Sequence, residues 1–547
     1  MASTYTDLGI ELMATGENAG TWGTKTNNNL TLIEQLTGGV LQNLSIAGGA
    51  GTTALNITDG DLAGTAQQRV IEFSGTISGN RIVTFPVLTE NFYIIKNGTS
   101  GAHTVQLKAA SGSGATVTFS ADDKGYKIIY LDGVATNTGV FDTGITSDGV
   151  TFKEGGTNFT NSLLVGTNGT GTLNDANGNT GVGKNVFAAL TTGDNNVAVG
   201  LNAFNLNTTG SQNTSVGQAS MSANTTGIAN TAVGAGSLTT NSTGTCNTAV
   251  GFNSLLSNLT GQNVAVGSCA LYTNTTAADN VAVGFSAMRL TTTGADNVAV
   301  GTQTLCTNTI GCRNVAIGHQ ALKANTEGLD NTAVGEASLD ANTTGDNNIA
   351  IGRLALSANT TADNNTAVGT SALGANTTGV SNTAVGKNAL LVNTTGTLNN
   401  AVGSGSLMAN TTGSNNAALG NDALRFNTTA SNNTAMGYNS LFANTTGTNN
   451  VAVGNNSLKT QTTAEGNTAI GSDTLCTVTS SAGGNTAVGQ KALEDDTTGY
   501  YNTSIGSLSL CQNTTGFQNT AVGREALRIN TTGACNVAVG VFTLDAN

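Results

Sequence analysis

The residues in this sequence that could carry chemistry are few and scattered. Its carboxylates fall mainly at variable positions of a repeating pattern, among them Asp279, Asp296, Asp330, Glu336 and Asp346. Cleavage of a glycosidic bond needs two carboxylates held about 5 to 9.5 Å apart in a cleft. Side chains spread thinly along a repeat read instead as solvated surface charge. His319 follows Gly318 without a nucleophile near it in sequence, and His103 has no second histidine or cysteine close by with which to hold a metal. The aspartates also lack the glycine-rich nonapeptide pattern that binds calcium in β-rolls. The expectation is of no catalytic residues, no cofactor-binding residues, no metal ligands and no required cofactor, hence not an enzyme.

The seven cysteines are Cys246, Cys269, Cys306, Cys312, Cys476, Cys511 and Cys535. They form neither C-x-x-C pairs nor a repeating column, and an odd count without metal spacing reads as small apolar residues in a chain that folds without disulfides. Many Asn-Thr-Thr triplets match the glycosylation sequon, but a role in turns already explains them.

Composition narrows the field further. Of 547 residues only 9% are charged and 4% aromatic, with 73 glycines and one proline, Pro86; ordinary soluble domains carry roughly 25% charged residues. The net charge of −13 comes from scattered side chains, with no basic stripe to neutralise phosphates, which argues against nucleic-acid binding. No apolar run reaches the length of a membrane span. The start, Met1-Ala2-Ser3-Thr4-Tyr5-Thr6-Asp7, has neither the basic nor the apolar region of a secretory signal. Apolar residues recur in strict phase, which disordered chains do not show.

What positions these residues is a repeat. From Asn179 to Gly540 an asparagine is followed four residues later by a glycine, 22 times over. The step is 17 residues, except for one of 16 (Gly251 to Gly267) and one of 18 (Gly471 to Gly489), and Ser162-Leu163-Leu164-Val165-Gly166 is a degenerate earlier copy. The consensus is Asn-Thr-Ala-Val-Gly-x-x-Ala-Leu-x-x-Asn-Thr-Thr-Gly-x-x, plain at Asn382 to Leu390. Paired-helix repeats need about 34 residues, so one coil of a parallel β-solenoid fits instead.

Thr-Ala-Val predicts a short strand, with the flanking β-branched residues on one face and alanine on the other. Four residues past the glycine runs a second apolar column, Phe187, Phe204 and Met221 giving way to Leu238 and then mostly leucine as far as Leu544. The invariant glycine predicts a corner with positive φ or no room for a Cβ, and Asn-Thr-Thr-Gly a second turn. Each opening asparagine should stack on its equivalents about 4.8 Å away and both donate and accept along the column. About 23 coils would give a shaft roughly 110 Å long. Both faces of the strand cannot fill one thin lumen, and the small, uncharged alanine face suits a neighbouring chain. The expectation is a homotrimer burying that face, with a second packed layer within one chain as the alternative.

Three regions follow: residues 1–40 as an N-terminal attachment segment, 41–150 as a small all-β domain, and 151–547 as the shaft. In the first, Asn28 to Gln35 suggests a short helix with Leu30, Leu32 and Ile33 as its apolar residues. Trp22, the only tryptophan, reads as the anchor of a small core, or else as a docking residue. In the second, Arg81–Phe85, Phe92–Lys96, His103–Lys108, Ala115–Phe119 and Tyr126–Leu131 read as strands. His103 falls on one of them, and Asn97-Gly98 and Ser111-Gly112-Ser113-Gly114 are the clearest turns.

The repeats resemble the head repeats of trimeric autotransporter adhesins, in which a short strand recurs in a parallel β-roll, though those repeats are shorter and that family carries a signal sequence and a membrane anchor. They are also similar to the repeats of phage tail fibres. The segment Ala14-Thr15-Gly16-Glu17-Asn18-Ala19-Gly20-Thr21-Trp22-Gly23-Thr24-Lys25-Thr26-Asn27 is similar to the starts of tail-fibre proteins of marine phages. The resemblance implies a structural virion fibre assembled in the host cytoplasm, its N-terminal segment on the tail or baseplate and its shaft reaching towards a host surface receptor. An extracellular self-assembling filament or cell-surface adhesin is the alternative. The last residues, Leu544 to Asn547, fall inside a repeat, and solenoid ends usually need a polar cap, so the expectation is one of three: the sequence is a fragment, another protein occupies the tip, or assembly shields the last coil.

Overall fold

The computed structural model describes residues 4–6, 8–12, 20–146, 151–154, 159–166, 171–479 and 481–545. The chain divides into two compact units, residues 1–152 with 165–167, and residues 153–164 with 168–547.

In the first unit, apart from the short antiparallel pair Thr4–Tyr5 and Glu11–Leu12, the strands from Val40 to Thr146 lie in two sheets that share one core. One sheet has the order 140–146, 126–132, 90–97, 70–74 and 40–45; the other has the order 51–54, 81–85, 105–109 and 117–119. From Val40 to Ala109 the chain passes alternately from one sheet to the other, and each strand pairs in parallel with the next one in its own sheet. These residues therefore wind three coils of a second, wider solenoid, closed by the antiparallel strands that follow. Alternating Ile71 and Phe73, Tyr93 and Ile95, and Val105 and Leu107 point inward and are fully buried.

All five expected strands are present, with bounds shifted by a few residues, and Val40–Ser45, Gly51–Ala54, Val70–Ser74 and Val140–Thr146 join them. His103 lies two residues before its strand, which begins at Val105, rather than on it. The helix is longer than expected, Trp22–Gly38, and buries Leu32 and Leu36 while Leu30 and Ile33 face out. Trp22 is 64% exposed and anchors no core. Of the attachment segment, Met13 to Ala19 lie outside the described residues. Within its described residues Lys25 meets Glu11 at 2.9 Å, and the Asn28 amide donates to the Gly60 carbonyl in the rest of the first unit.

The second unit is the parallel β-solenoid. Its 22 three-residue strands run from Thr180–Val182 to Val537–Val539, each in register with the next. Register survives both irregular steps, Ala249 facing Ala265 and Ala469 facing Ala487, so the lost and gained residues are absorbed in turns.

The coil Asn382–Leu398 shows how the sequence builds it. Asn382, Ala384, Ala389, Leu390, Asn393 and Gly396 are buried. The Asn382 amide donates to the Asn365 Oδ1 at 3.2 Å and to the Gly396 carbonyl at 2.9 Å, so one side chain joins neighbouring coils and spans the lumen. Its own Oδ1 accepts from the next rung, the Asn399 backbone and amide. That is the expected ladder. A second ladder, not anticipated, runs through the Asn-Thr-Thr-Gly turns, where Asn393 donates to Asn376 Oδ1 at 2.9 Å and to the Gly396 carbonyl at 3.0 Å. Every polar atom taken into so narrow a lumen needs such a partner, because an unpaired one costs about 1–3 kcal/mol.

The corners are left-handed. Gly386 has φ of 133°, and a Cβ there would lie 2.6 Å from the carbonyl carbon of Gly403 in the next coil. Asn388, Leu390 and Leu398 also take φ of 59°, 50° and 58°. Leucine disfavours this region, but here it turns the column side chain into the lumen, where burial of a leucine offsets the strain by about 1.5–3 kcal/mol. The first coils hold Phe187, Phe204 and Met221 in that column, all fully buried, with the two rings 6.1 Å apart edge to face.

One expectation is reversed. The strand-centre alanines are inside, with Ala316 and Ala333 fully buried, and the flanking β-branched residues face out. The reason is volume: two asparagine columns and a leucine column already fill the lumen, leaving room at the strand centre for a methyl group. The alanines therefore need no neighbouring chain to bury them.

Candidate functional site

No cluster of three or more histidine, cysteine, aspartate or glutamate side chains is arranged to hold a metal ion among the described residues. Asp279, Asp296 and Asp330 occupy the same left-handed corner of their coils, one residue before the ladder asparagine, and all are exposed. Asp330 makes a two-point ion pair with Arg313 of the preceding coil at 2.7 and 2.8 Å, and this bond holds its carboxyl below the usual range. Glu336 lies 3.5 Å from Arg353, and Asp346 accepts from the Leu329 backbone at 2.7 Å. His319 is exposed. The structure thus stacks Asp279, Asp296, Arg313 and Asp330 as successive rungs of one exposed corner column and places Glu336, Asp346 and His319 at other positions of their coils. Burial pushes the thiols of Cys306 and Cys476 up and that of Cys511, next to Glu494, up to about 12, so all three stay protonated at neutral pH.

Two surfaces stand out. The first is the outer face of the shaft sheet. From Thr180 to Val539 its two outward columns hold threonine, valine, isoleucine and occasional Asn400, Ala417, Leu419 and Met436, without a single charge. Val300, Ile317, Ile351 and Ile470 are each about 40% exposed.

The second lies where the step lengthens to 18 residues. The residue two before the ladder asparagine forms a corner column, occupied in turn by Thr448, Glu465, Gly483, Tyr500 and Phe517. Gly483 therefore omits one rung between a carboxylate and an aromatic ring. Tyr500 stacks on Phe517 with centroids 4.9 Å apart and planes 4° from parallel, and meets Tyr501 edge to face at 5.6 Å. The Tyr501 ring lies across Gly484, where a Cβ would come 2.5 Å from the ring. A polar wall stands opposite: Asn449 donates to the Thr448 hydroxyl at 3.2 Å, which donates to Glu465 Oε2 at 3.4 Å. The resulting recess of about 670 Å³ is lined by Asn449, Thr463, Glu465, Gly466, Tyr500 and Tyr501 among others.

Neither surface was identified from sequence. Alternation alone lets the outer face read as lumen, and the recess becomes visible only with the corner residues of successive coils set side by side. The signal for it was present: three glycines, Gly466, Gly483 and Gly484, followed one coil later by paired tyrosines in a protein poor in aromatics. Comparison of the chain with protein-family models, curated proteins and solved structures gave no match.

Proposed function

We propose that this chain is a structural fibre protein whose solenoid serves as a rigid shaft for attachment to a host surface, as part of a phage tail. The observation that carries the reading is the unbroken in-register stack of 22 strands, which confers length and stiffness and leaves the lumen with no room for a substrate. Reach and the summing of many weak surface contacts along a rod are the mechanism such a body offers. The exposed setting of Asp279, Asp296 and Asp330, the last of them paired with Arg313, favours a non-catalytic role.

The charge-free outer sheet face supports self-association of the fibre. With the alanines inside, the face available to a second and third copy is the charge-free valine and isoleucine one. An identical shaft shares its repeat, so the contact can continue over the whole length. A strip about 10 Å wide along 22 coils of about 4.8 Å offers roughly 1,000 Å² per chain, above the roughly 800 Å² per partner of a standard interface. A homotrimer uses that strip around a common axis. On the helix Trp22–Gly38, Trp22, Leu30 and Ile33 are exposed along one side, a face suited to docking on a tail or baseplate protein.

Immunogold labelling of virions tests the placement: gold along a tail appendage is expected, and unlabelled tails with labelled extracellular filaments would favour the adhesin or filament reading instead. Light scattering tests the assembly, since a species at three times 54.5 kDa is expected and a monomer of 54.5 kDa would refute the trimer.

A further inference from the structure

We infer that the recess at the irregular coil binds a sugar ring. Its three parts are those that pyranose recognition needs. One face of the Tyr500 ring is covered by Phe517 of the following coil, and the other looks towards the preceding coil, where Gly483 supplies no side chain. An aromatic face carries partial negative charge and attracts the weakly positive C–H groups of an apolar ring face. Glu465 and Gly483 belong to successive coils and Tyr500 to the next. Two coil spacings, about 9.6 Å, therefore separate the backbones bearing carboxylate and ring. That gap accommodates one saturated six-membered ring stacked on Tyr500, with Tyr501 at its edge.

The polar wall provides the rest. A sugar presents hydroxyls that donate and accept, and the wall offers a carboxylate that only accepts beside an amide that does both. The hydrogen-bond chain from Asn449 through Thr448 to Glu465 holds the carboxylate in place for a bidentate contact with neighbouring hydroxyls. Glu465 is the one carboxylate of the lining, so the recess has no second acid or base for hydrolysis. It binds and does not cleave. A flat, uncharged aromatic ligand would also stack on Tyr500, but would present no hydroxyls to the Glu465 carboxylate. The assignment deepens the adhesive reading of the shaft and rests on it only for biological setting.

The test uses the full chain titrated with methyl glycosides of glucose, galactose, mannose and N-acetylglucosamine, followed by calorimetry and by quenching of tyrosine fluorescence. Saturable binding of at least one, with a Kd of order 1 mM, is expected. Tyr500→Ala and Gly483→Leu should each weaken it tenfold or more, the first by removing the platform and the second by filling the missing rung. Both substitutions keep residue types found at this corner in other coils, Ala278 and Leu329, so the fold should persist. Tyr438→Ala, at an exposed tyrosine elsewhere on the shaft, should leave binding unchanged. Absence of binding to all four glycosides, or binding indifferent to both recess substitutions, overturns the inference. Adhesion to host cells that survives in a chain unable to bind sugar would sink the recess alone. Sugar binding without any adhesion would sink the proposed function and leave the recess standing.

Discussion

Ser215 and Ser220 face one another inside the solenoid with their hydroxyl oxygens 2.8 Å apart, the Ser215 hydroxyl also reaching the Ser220 carbonyl at 2.9 Å. Ser215 stands where most coils place alanine, and the other strand-centre serine, Ser504, faces Ser509 in the same way. Both strand-centre hydroxyls are thus met by a second one, whereas serines at the facing position, such as Ser237 and Ser338, are buried opposite alanine and donate to the corner glycine carbonyl. Ser220 additionally donates to the Ala232 carbonyl at 3.2 Å, so it keeps a partner if Ser215 is lost. Ser215→Ala should therefore shift stability by no more than about 0.5 kcal/mol. Ala316→Val, in a fully buried alanine column with no slack, should cost about 1–3 kcal/mol through overpacking. Thermal unfolding of the two variants beside the parent distinguishes a lumen limited by volume from one limited by polarity.

Asp496 gives the shaft a pH dependence. It takes an asparagine place in the second ladder, accepts from the Gly499 backbone and the Asn513 amide at 3.0 Å each, and has Val478 in the preceding coil where an amide would stand. Burial pushes its carboxyl up from 3.8 to about 7. Between these values the folded chain holds a proton that the unfolded chain has released, so stability falls as pH rises from about 4 to about 7 and is level above that. Asp496→Asn removes the titrating group, and its amide can donate to the Gly499 carbonyl as Asn393 does to Gly396. The variant should match the parent near pH 4 and exceed it above pH 7 by on the order of 4 kcal/mol. Denaturation midpoints at pH 4, 6 and 8 decide it; a gain independent of pH would exclude ionisation as the cause.

The corners should respond to residue type in opposite directions. Leu398 has φ of 58° and is 55% exposed, so it bears left-handed strain without the burial that rewards Leu390. Leu398→Asn, the residue found at this corner in Asn415 and Asn432, should stabilise by about 0.5–1 kcal/mol. Gly386→Ala combines a φ of 133° with a Cβ 2.6 Å from the backbone of Gly403, and should destabilise by about 3 kcal/mol or more. Because solenoid coils contact only their neighbours, hydrogen exchange should show the loss concentrated in the coils around residue 386.

These responses mark what was legible beforehand. The 17-residue period, the amide ladder of Asn382 and its equivalents, and the glycine corner all follow from local chemistry repeated without variation. The sign of the strand face did not, because alternation says which residues share a face and not which face is inside. Asn382 and Ala384 are two residues apart and must share one, so an asparagine ladder that needs burial would have placed the alanine in the lumen. The left-handed leucines were hidden for another reason, since leucine has no intrinsic preference for positive φ and adopts it at Leu390 only because the lumen rewards burial. The three coils between Val40 and Ala109 leave no period in the sequence because their spacing is uneven, Val40 pairing with Val70 but Val70 with Ile94. The recess depended on residues 17 or 18 apart that mean nothing singly.

The reversed face moves the expected interface. If copies associate through the outer columns, charge placed there should separate them while leaving each coil intact. Val300 and Val334 lie two coils apart in the same outward column, and neither side chain enters the lumen. Val300→Lys with Val334→Lys should leave the unfolding temperature within a few degrees of the parent, since exposed substitutions seldom exceed about 0.5 kcal/mol. The same pair buried against two equivalent pairs would bring six ammonium groups together without counter-ions, a cost far beyond what such an interface supplies. Light scattering should then give 54.5 kDa for the variant and a multiple of it for the parent. An unchanged multimer in the variant would move the interface off this face. A parent that is already monomeric would leave the valine columns as the outer wall of a single-chain shaft.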